Sequence, residues 1–141
     1  GFCATSKIDS APENVFKKSG RINSTWGGNI VDMARAKIIF EAIQERNLVE
    51  NAAVVGAKFE DVLRKLPADV TNVRGKGLML AIDLPTPDYR DYIHAKLSEK
   101  MLILKSGVRS LRFRPHLTFT EANVSEAEDI LTEVINQGRV Q

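Results

Sequence analysis

Val70-Thr71-Asn72-Val73-Arg74-Gly75-Lys76-Gly77-Leu78-Met79-Leu80-Ala81-Ile82-Asp83-Leu84 is the stretch that decides the fold class. Val70 to Arg74 and Gly77 to Leu84 read as two strands about the turn Arg74-Gly75-Lys76-Gly77, since paired glycines punctuate a chain where it reverses. Leu78 to Ile82 is apolar without a break, which predicts a strand in the interior of its sheet.

Helical periods flank this hairpin. Upstream, Leu48, Ala52, Val55, Phe59, Val62, Leu63 and Leu66 recur at helical spacing, and Pro67 stops the run. Asn47, with Glu50 three residues on, reads as the capping box that opens this helix. Before it, Asn29 to about Arg46 reads as a helix that is apolar on two sides. Val31, Ile38 and Ala42 form one stripe, and Met33, Ala36, Ile39, Phe40 and Ile43 form the other. A helix of that kind is expected to lie between two surfaces, the second belonging to another domain or subunit. Residues 1–28 carry no period and read as an extended or irregular segment.

Downstream, Thr86 and Pro87 open a third helix that turns Tyr89, Tyr92, Ile93 and Leu97 inward. Leu102 to Leu104 is a short strand, and Ser106-Gly107 turns it back into Val108 to Arg114, where Pro115 interrupts. The last helix runs from about Val124 to Gln137, with Val124, Ala127, Leu131, Val134 and Ile135 on one face and Gly138 as its C-terminal cap. The order predicts a mixed α/β domain with a small, largely antiparallel sheet covered by helices.

Composition agrees with a packed domain. The 141 residues are 43% hydrophobic and 27% charged, and a chain of this size buries roughly 70% of its unfolded surface. That excludes a disordered tail or a disulfide-held miniprotein. The 20 basic and 18 acidic residues interleave to a net +2, with no basic stripe of the kind a nucleic-acid binder needs. No apolar run is long enough to cross a membrane. Cys3 is the single cysteine, so an internal disulfide is impossible, and no Cys/His spacing points to zinc. The chain opens with glycine rather than methionine, as expected of a processed chain or a piece of a longer one.

Two places can carry chemistry. Asn23-Ser24-Thr25-Trp26-Gly27-Gly28-Asn29 sets hydroxyls beside two glycines at the start of a helix. Such a stretch suits a phosphate, which glycines let close to the backbone and a helix N-terminus attracts; read locally, with neither a P-loop nor a GxGxxG pattern, it reads first as a turn and a helix cap. In Val108 to Arg114 the side chains alternate, so Leu111 and Phe113 face one way while Arg112 and Arg114 face the other. Those arginines can offer a guanidinium fork to a carboxylate or can simply form a solvated sheet face. His94 reads as a surface residue, and His116 as a neighbour of the arginines. No Ser/His/Asp set, carboxylate pair or metal set can be assembled.

These stretches together carry a family likeness. Arg21-Ile22-Asn23-Ser24-Thr25-Trp26-Gly27-Gly28-Asn29 resembles the corresponding segment of class III pyridoxal-phosphate aminotransferases, and its Asn-Ser-Thr-Trp-Gly-Gly looks most like the lysine 6-aminotransferase branch. Arg74-Gly75-Lys76-Gly77-Leu78-Met79 resembles the Arg-Gly-x-Gly-Leu-Met run of that class. Leu111-Arg112-Phe113-Arg114-Pro115-His116-Leu117-Thr118 resembles its Arg-x-x-Pro-Pro-Leu motif, in the Arg-Phe-Arg-Pro form of the lysine branch, with His116 in place of the second proline. The likeness runs the length of the chain, in order.

The resemblance implies the α+β small domain of a fold type I transferase. Residues 29–141 would form that domain, and residues 1–28 a connecting segment from a large domain. Thr25 would contact the cofactor phosphate of the neighbouring subunit in a homodimer. Ser24 would also lie at the cofactor, and Asn23 at cofactor or substrate. Arg112 would pair with the substrate α-carboxylate. The Schiff-base lysine would lie before Gly1, since Lys7 does not sit in the matching position, so the chain alone is expected to be inactive. The implied reaction moves the ε-amino group of L-lysine to 2-oxoglutarate, in the cytoplasm. The alternatives are another ω-aminotransferase, acting on 4-aminobutyrate or ornithine, and a stand-alone, non-catalytic binding or dimerisation module.

Overall fold

The computed structural model describes residues 5–18, 20–22 and 24–138; Cys3 and Asn23 fall outside them. The chain divides into two units, Gly1–Glu41 and Ala42–Gln141.

The first unit is held by local hydrogen bonds. A short 3-10 turn, Ser6–Ser10, opens it. Asn14 is buried and ties its own turn, donating from Nδ2 to the Ala11 carbonyl at 3.0 Å and accepting from the Phe16 amide at 3.0 Å. Arg21 reaches back to the Glu13 carbonyl at 2.7 Å. Helix α1, Ile30–Glu45, starts in this unit and runs across the division. Asn29 caps it, its Oδ1 accepting from the amides of Val31 at 3.0 Å and Asp32 at 3.4 Å. The cap expected from the sequence is therefore present. Among the described residues none of α1 is buried: Ala36, Ala42 and Ile43 of its apolar stripes are half-buried, while Val31, Met33, Ile38, Ile39 and Phe40 are exposed.

The second unit is a helix-covered antiparallel sheet. Its elements are α2 (Leu48–Lys65), β1 (Thr71–Lys76), β2 (Met79–Asp83), α3 (Pro87–Ser98), β3 (Leu104–Ser106), β4 (Ser110–Phe113) and α4 (Glu121–Gly138). The strand order is β1-β2-β4-β3, so the uninterrupted apolar strand is interior, as its composition predicts. The α4 face Val124, Ala127, Leu131, Val134 and Ile135 is buried as read from its spacing. It meets Phe59 and Leu63 of α2, Ile93 and Leu97 of α3, and the sheet side chains Leu80, Ile82, Leu111 and Phe113 in one core. Phe59 stands edge-on to Phe113 with ring centres 5.2 Å apart, which ties α2 to β4.

Turn chemistry explains most of the boundaries. Thr86 caps α3 through an Oγ1 acceptor 3.1 Å from the Tyr89 amide, with Pro87 at the first position. The β1–β2 reversal lies two residues later than the turn read at Arg74-Gly75-Lys76-Gly77: Lys76 pairs with Met79, and Gly77 with φ 56° makes the turn. Gly56 of α2 packs against that turn so closely that a Cβ would stand 2.4 Å from the Gly77 carbonyl.

Four expectations need correction. Asn47 makes no capping box with Glu50. It sits in the left-handed region at φ 49°, ψ 42°, and its side chain makes no cap bond, so the break after α1 is a backbone turn of the kind asparagine tolerates. Helix α4 starts earlier than its apolar face, because Thr120 and Asn123 cap it reciprocally at 3.0 and 3.3 Å. Gly138 belongs to its last turn rather than standing beyond it. Leu102 is fully exposed and lies ahead of β3 rather than in it.

Candidate functional site

β4 alternates as its sequence indicates. Leu111 and Phe113 enter the core, while Ser110 and Arg112 occupy the other face of the sheet. Register places Ala81 of β2 and Leu104 of β3 opposite Arg112 on either side, and Arg74 of β1 opposite Ala81. The small Ala81 side chain leaves room for a groove of about 620 Å³, lined by Arg74, Lys76, Met79, Ala81, Ser106 and Arg112 among others. Within it, the Arg112 Nε is shut off from solvent and has no hydrogen-bond partner among the described residues. A buried N–H without an acceptor costs about 1–3 kcal/mol. Where the side chain moves to expose Nε, a carboxylate could accept from Nε and one Nη together, which would remove that cost.

The two arginines of the motif do not share one groove. Arg114 lies past the end of β4 and lines a neighbouring cavity of about 470 Å³ with Val49, Leu78, Pro115 and Leu117; Lys76 and Met79 border both cavities. His116 is exposed, its Nδ1 2.8 Å from the Thr118 hydroxyl and its ring edge-on to Phe119. His94 is half-buried rather than at the surface, with Nε2 3.2 Å from the Ile103 carbonyl.

Beside Arg112 the structure holds a network that sequence reasoning missed. Asp83 is buried at the end of β2, paired in register with Ser110. Its carboxylate accepts from the Ser110 hydroxyl at 2.6 Å, Arg74 Nη1 at 2.8 Å and Asn72 Nδ2 at 2.9 Å. Burial by itself raises the Asp83 pKa. The bonds from Ser110, Asn72 and Arg74, with the charge of Arg74, outweigh it and lower the pKa from 3.8 to about 2. The available signal was one acidic residue closing an otherwise apolar strand, with an arginine on the strand before. A second missed residue is Arg90, buried in α3, which donates to Asp91 at 2.6 Å and reaches the Gly107 and Ser110 carbonyls at 3.4 Å, bracing the β3–β4 turn.

In the first unit, Ser24 to Gly27 form a turn closed by the Gly27 amide on the Ser24 carbonyl at 2.9 Å. Ser24 Oγ accepts from the Trp26 amide at 3.3 Å. Thr25 is exposed, and its hydroxyl has no partner among the described residues. Gly28 follows at φ 75° with open space where a Cβ would be. Ser24 and Thr25 are both exposed. Asn23 lies outside the described residues. Among the described residues no group of three His, Cys, Asp or Glu side chains is placed to hold a metal ion, and no helix is long and apolar enough to cross a membrane.

Residues 2–135 match the family described as aminotransferase class-III, and the chain belongs to that family. L-lysine-epsilon aminotransferase of Streptomyces clavuligerus is 40% identical over 141 residues, covering 96% of this chain and 31% of that protein. Ornithine aminotransferase of Bordetella pertussis is 34% identical, with 96% of this chain and 34% of that protein covered. The solved lysine aminotransferase of M. tuberculosis superposes with a TM-score of 0.84 at 36% identity, over 94% of this chain and 32% of that one. The chain thus spans about a third of the length of the relatives it matches. Class III aminotransferases depend on pyridoxal phosphate.

Proposed function

We propose that this chain is the small domain, residues 29–141, with its connecting segment, residues 1–28, of a homodimeric, cytoplasmic class III aminotransferase. The parent enzyme moves the ε-amino group of L-lysine to 2-oxoglutarate, forming 2-aminoadipate 6-semialdehyde, which cyclises, and glutamate. The observation that carries this reading is Arg112: a motif guanidinium lining a groove, its buried Nε without a partner among the described residues. Lysine and 2-oxoglutarate both bear an α-carboxylate, so one arginine serves each in turn across the two half-reactions.

The exposed, unpartnered Thr25 hydroxyl, with Ser24 beside it and the open Gly28 backbone, fits a cofactor phosphate presented by the neighbouring subunit. Asn23 lies next to that contact in sequence and belongs to the substrate side of the same assignment. Bound pyridoxal phosphate supplies the electron sink for amino-group transfer. This chain's own contribution is to hold the phosphate at Thr25 and orient the carboxylate at Arg112. The lysine that binds the cofactor lies in the rest of the parent, and the chain by itself does not turn over.

The test is an assay of the full-length protein with pyridoxal phosphate and 2-oxoglutarate against lysine, ornithine and 4-aminobutyrate. Glutamate formation fastest with lysine, with a cyclised product, supports the assignment. Preference for ornithine, which the 34% identity to ornithine aminotransferase keeps in view, retains the Thr25 and Arg112 roles and replaces the donor. No turnover with any amine points to a non-catalytic module.

A further inference from the structure

β4 shows two side chains to the groove face of the sheet, Ser110 and Arg112, while Leu111 and Phe113 fill the core. Ser110 is buried, and residues of β1, β2 and α3 hold it. Its hydroxyl donates to Asp83 Oδ1 of β2 at 2.6 Å and accepts from Arg74 Nη2 of β1 at 3.0 Å. Its carbonyl lies 3.4 Å from Arg90 Nη1 of α3, a guanidinium that also reaches the Gly107 carbonyl. The Asp83 carboxylate is itself fixed by Arg74 at 2.8 Å and by Asn72 at 2.9 Å. Arg112 stands two residues further along the strand, about 7 Å away, opposite Leu104, where β3 begins. The strand ends one residue later, and Pro115 has no N–H to offer a ladder. On this face the anchor of β4 is therefore Ser110.

We infer that Ser110 is a positioning residue: it fixes the stretch of β4 from which the Arg112 guanidinium is presented. The inference rests on the assignment of Arg112 to a substrate carboxylate made above. A binding group has to be held within about 0.5 Å and 10–20° of its productive geometry. Arg112 turns about its own side-chain bonds, so that accuracy comes from the backbone that carries it. The Ser110 hydroxyl joins this backbone to a carboxylate that β1 already holds. Without the hydroxyl, Asp83 keeps Arg74 and Asn72 and the β1–β2 hairpin keeps its clamp, while β4 loses its tie on the groove face. The loss falls on substrate binding, so KM rises while kcat changes little.

The experiment uses the full-length enzyme with its cofactor. For each variant it measures kcat, the KM for 2-oxoglutarate, the Kd of glutarate, a non-reacting dicarboxylate, by calorimetry, and Tm. Ser110→Ala is expected to raise the glutarate Kd and the 2-oxoglutarate KM about five-fold, the effect of one misaligned hydrogen bond, with kcat within about two-fold. Asn72→Gly is the control. It removes a donor from the same carboxylate, glycine takes the φ of 50° at that position freely, and β4 keeps its tie. It is expected to lower Tm as Ser110→Ala does and to leave both constants near wild type. Constants that rise with the loss of Tm in both variants show a merely structural network and overturn the inference. If Ser110→Ala does not fold, Ser110→Cys, close in shape and only a weak donor, carries the same comparison. Unchanged glutarate binding in Ser110→Ala, with Arg112→Lys still weakening it, overturns the positioning role alone. Unchanged glutarate binding in Arg112→Lys overturns the assignment of Arg112 and this inference with it.

Discussion

Arg74 Nη1 lies 2.8 Å from Asp83 Oδ1, across the β1–β2 hairpin and beside the strand that carries Arg112. The pair spans a β-bulge between Thr71 and Arg74, where Asn72 takes φ 50° and turns its amide onto the same carboxylate. A bulge re-aims side chains along one strand, and here it brings two donors of β1 onto one acceptor.

The Asp83 network has a pH signature. Its carboxyl is held at about 2 against an ordinary 3.8, so the folded form binds the proton less readily than the unfolded chain. The stability it contributes is complete above the ordinary value and is lost as pH falls through the folded value. Urea unfolding of the wild-type protein between pH 5 and pH 2 is expected to show a falling stability that Asp83→Asn flattens over the same window.

Arg112→Lys keeps the charge and loses the fork. A lysine ammonium cannot offer two parallel N–H donors in a plane. The expected result is a rise in KM for both carboxylate substrates of about ten-fold or more, the loss of one charge-assisted hydrogen bond. Steady-state kinetics of the full-length enzyme check it.

Thr25 is exposed, so Thr25→Ala should leave the fold intact. Loss of a hydroxyl bond to a phosphate is expected to weaken cofactor retention about ten-fold. Thr25→Ser should restore it. Equilibrium dialysis of the cofactor against each variant gives the answer without reference to turnover.

Gly56→Ala tests the packing of α2 on the hairpin. A methyl group there would stand 2.4 Å from the Gly77 carbonyl, which is backbone and cannot rotate away. The helix or the turn has to move, at a cost of about 2 kcal/mol or more. Thermal unfolding should show this, whereas Ala53→Gly in the same helix lacks the clash and loses only the roughly 1 kcal/mol of helix propensity.

The helices and the interior strand were legible because their signals are periodic and local. Leu131 and Ile135 recur at helical spacing, Leu78 to Ile82 admits no polar face, and Thr86-Pro87 is a helix start in any context. Asn47 was misread because its type suits both an N-cap and a left-handed turn, and the neighbouring residues decide between them only through the path of the chain. Thr120 and Asn123 were overlooked because their cap precedes the apolar face that announces the helix.

For the candidate site, the alternation in β4 by itself separated Arg112 from the core-facing Leu111 and Phe113, since a strand's side chains have a period of two. What surrounds that arginine was settled only in three dimensions. Arg74 and Asp83 are nine residues apart, Ser110 and Asp83 twenty-seven, and no local rule links them. Strand register places them together: β2 lies between β1 and β4, and pairing across both edges sets three donors on one buried carboxylate, on the sheet face that also carries Arg112. Periodicity determines which way a side chain points; register determines whom it meets.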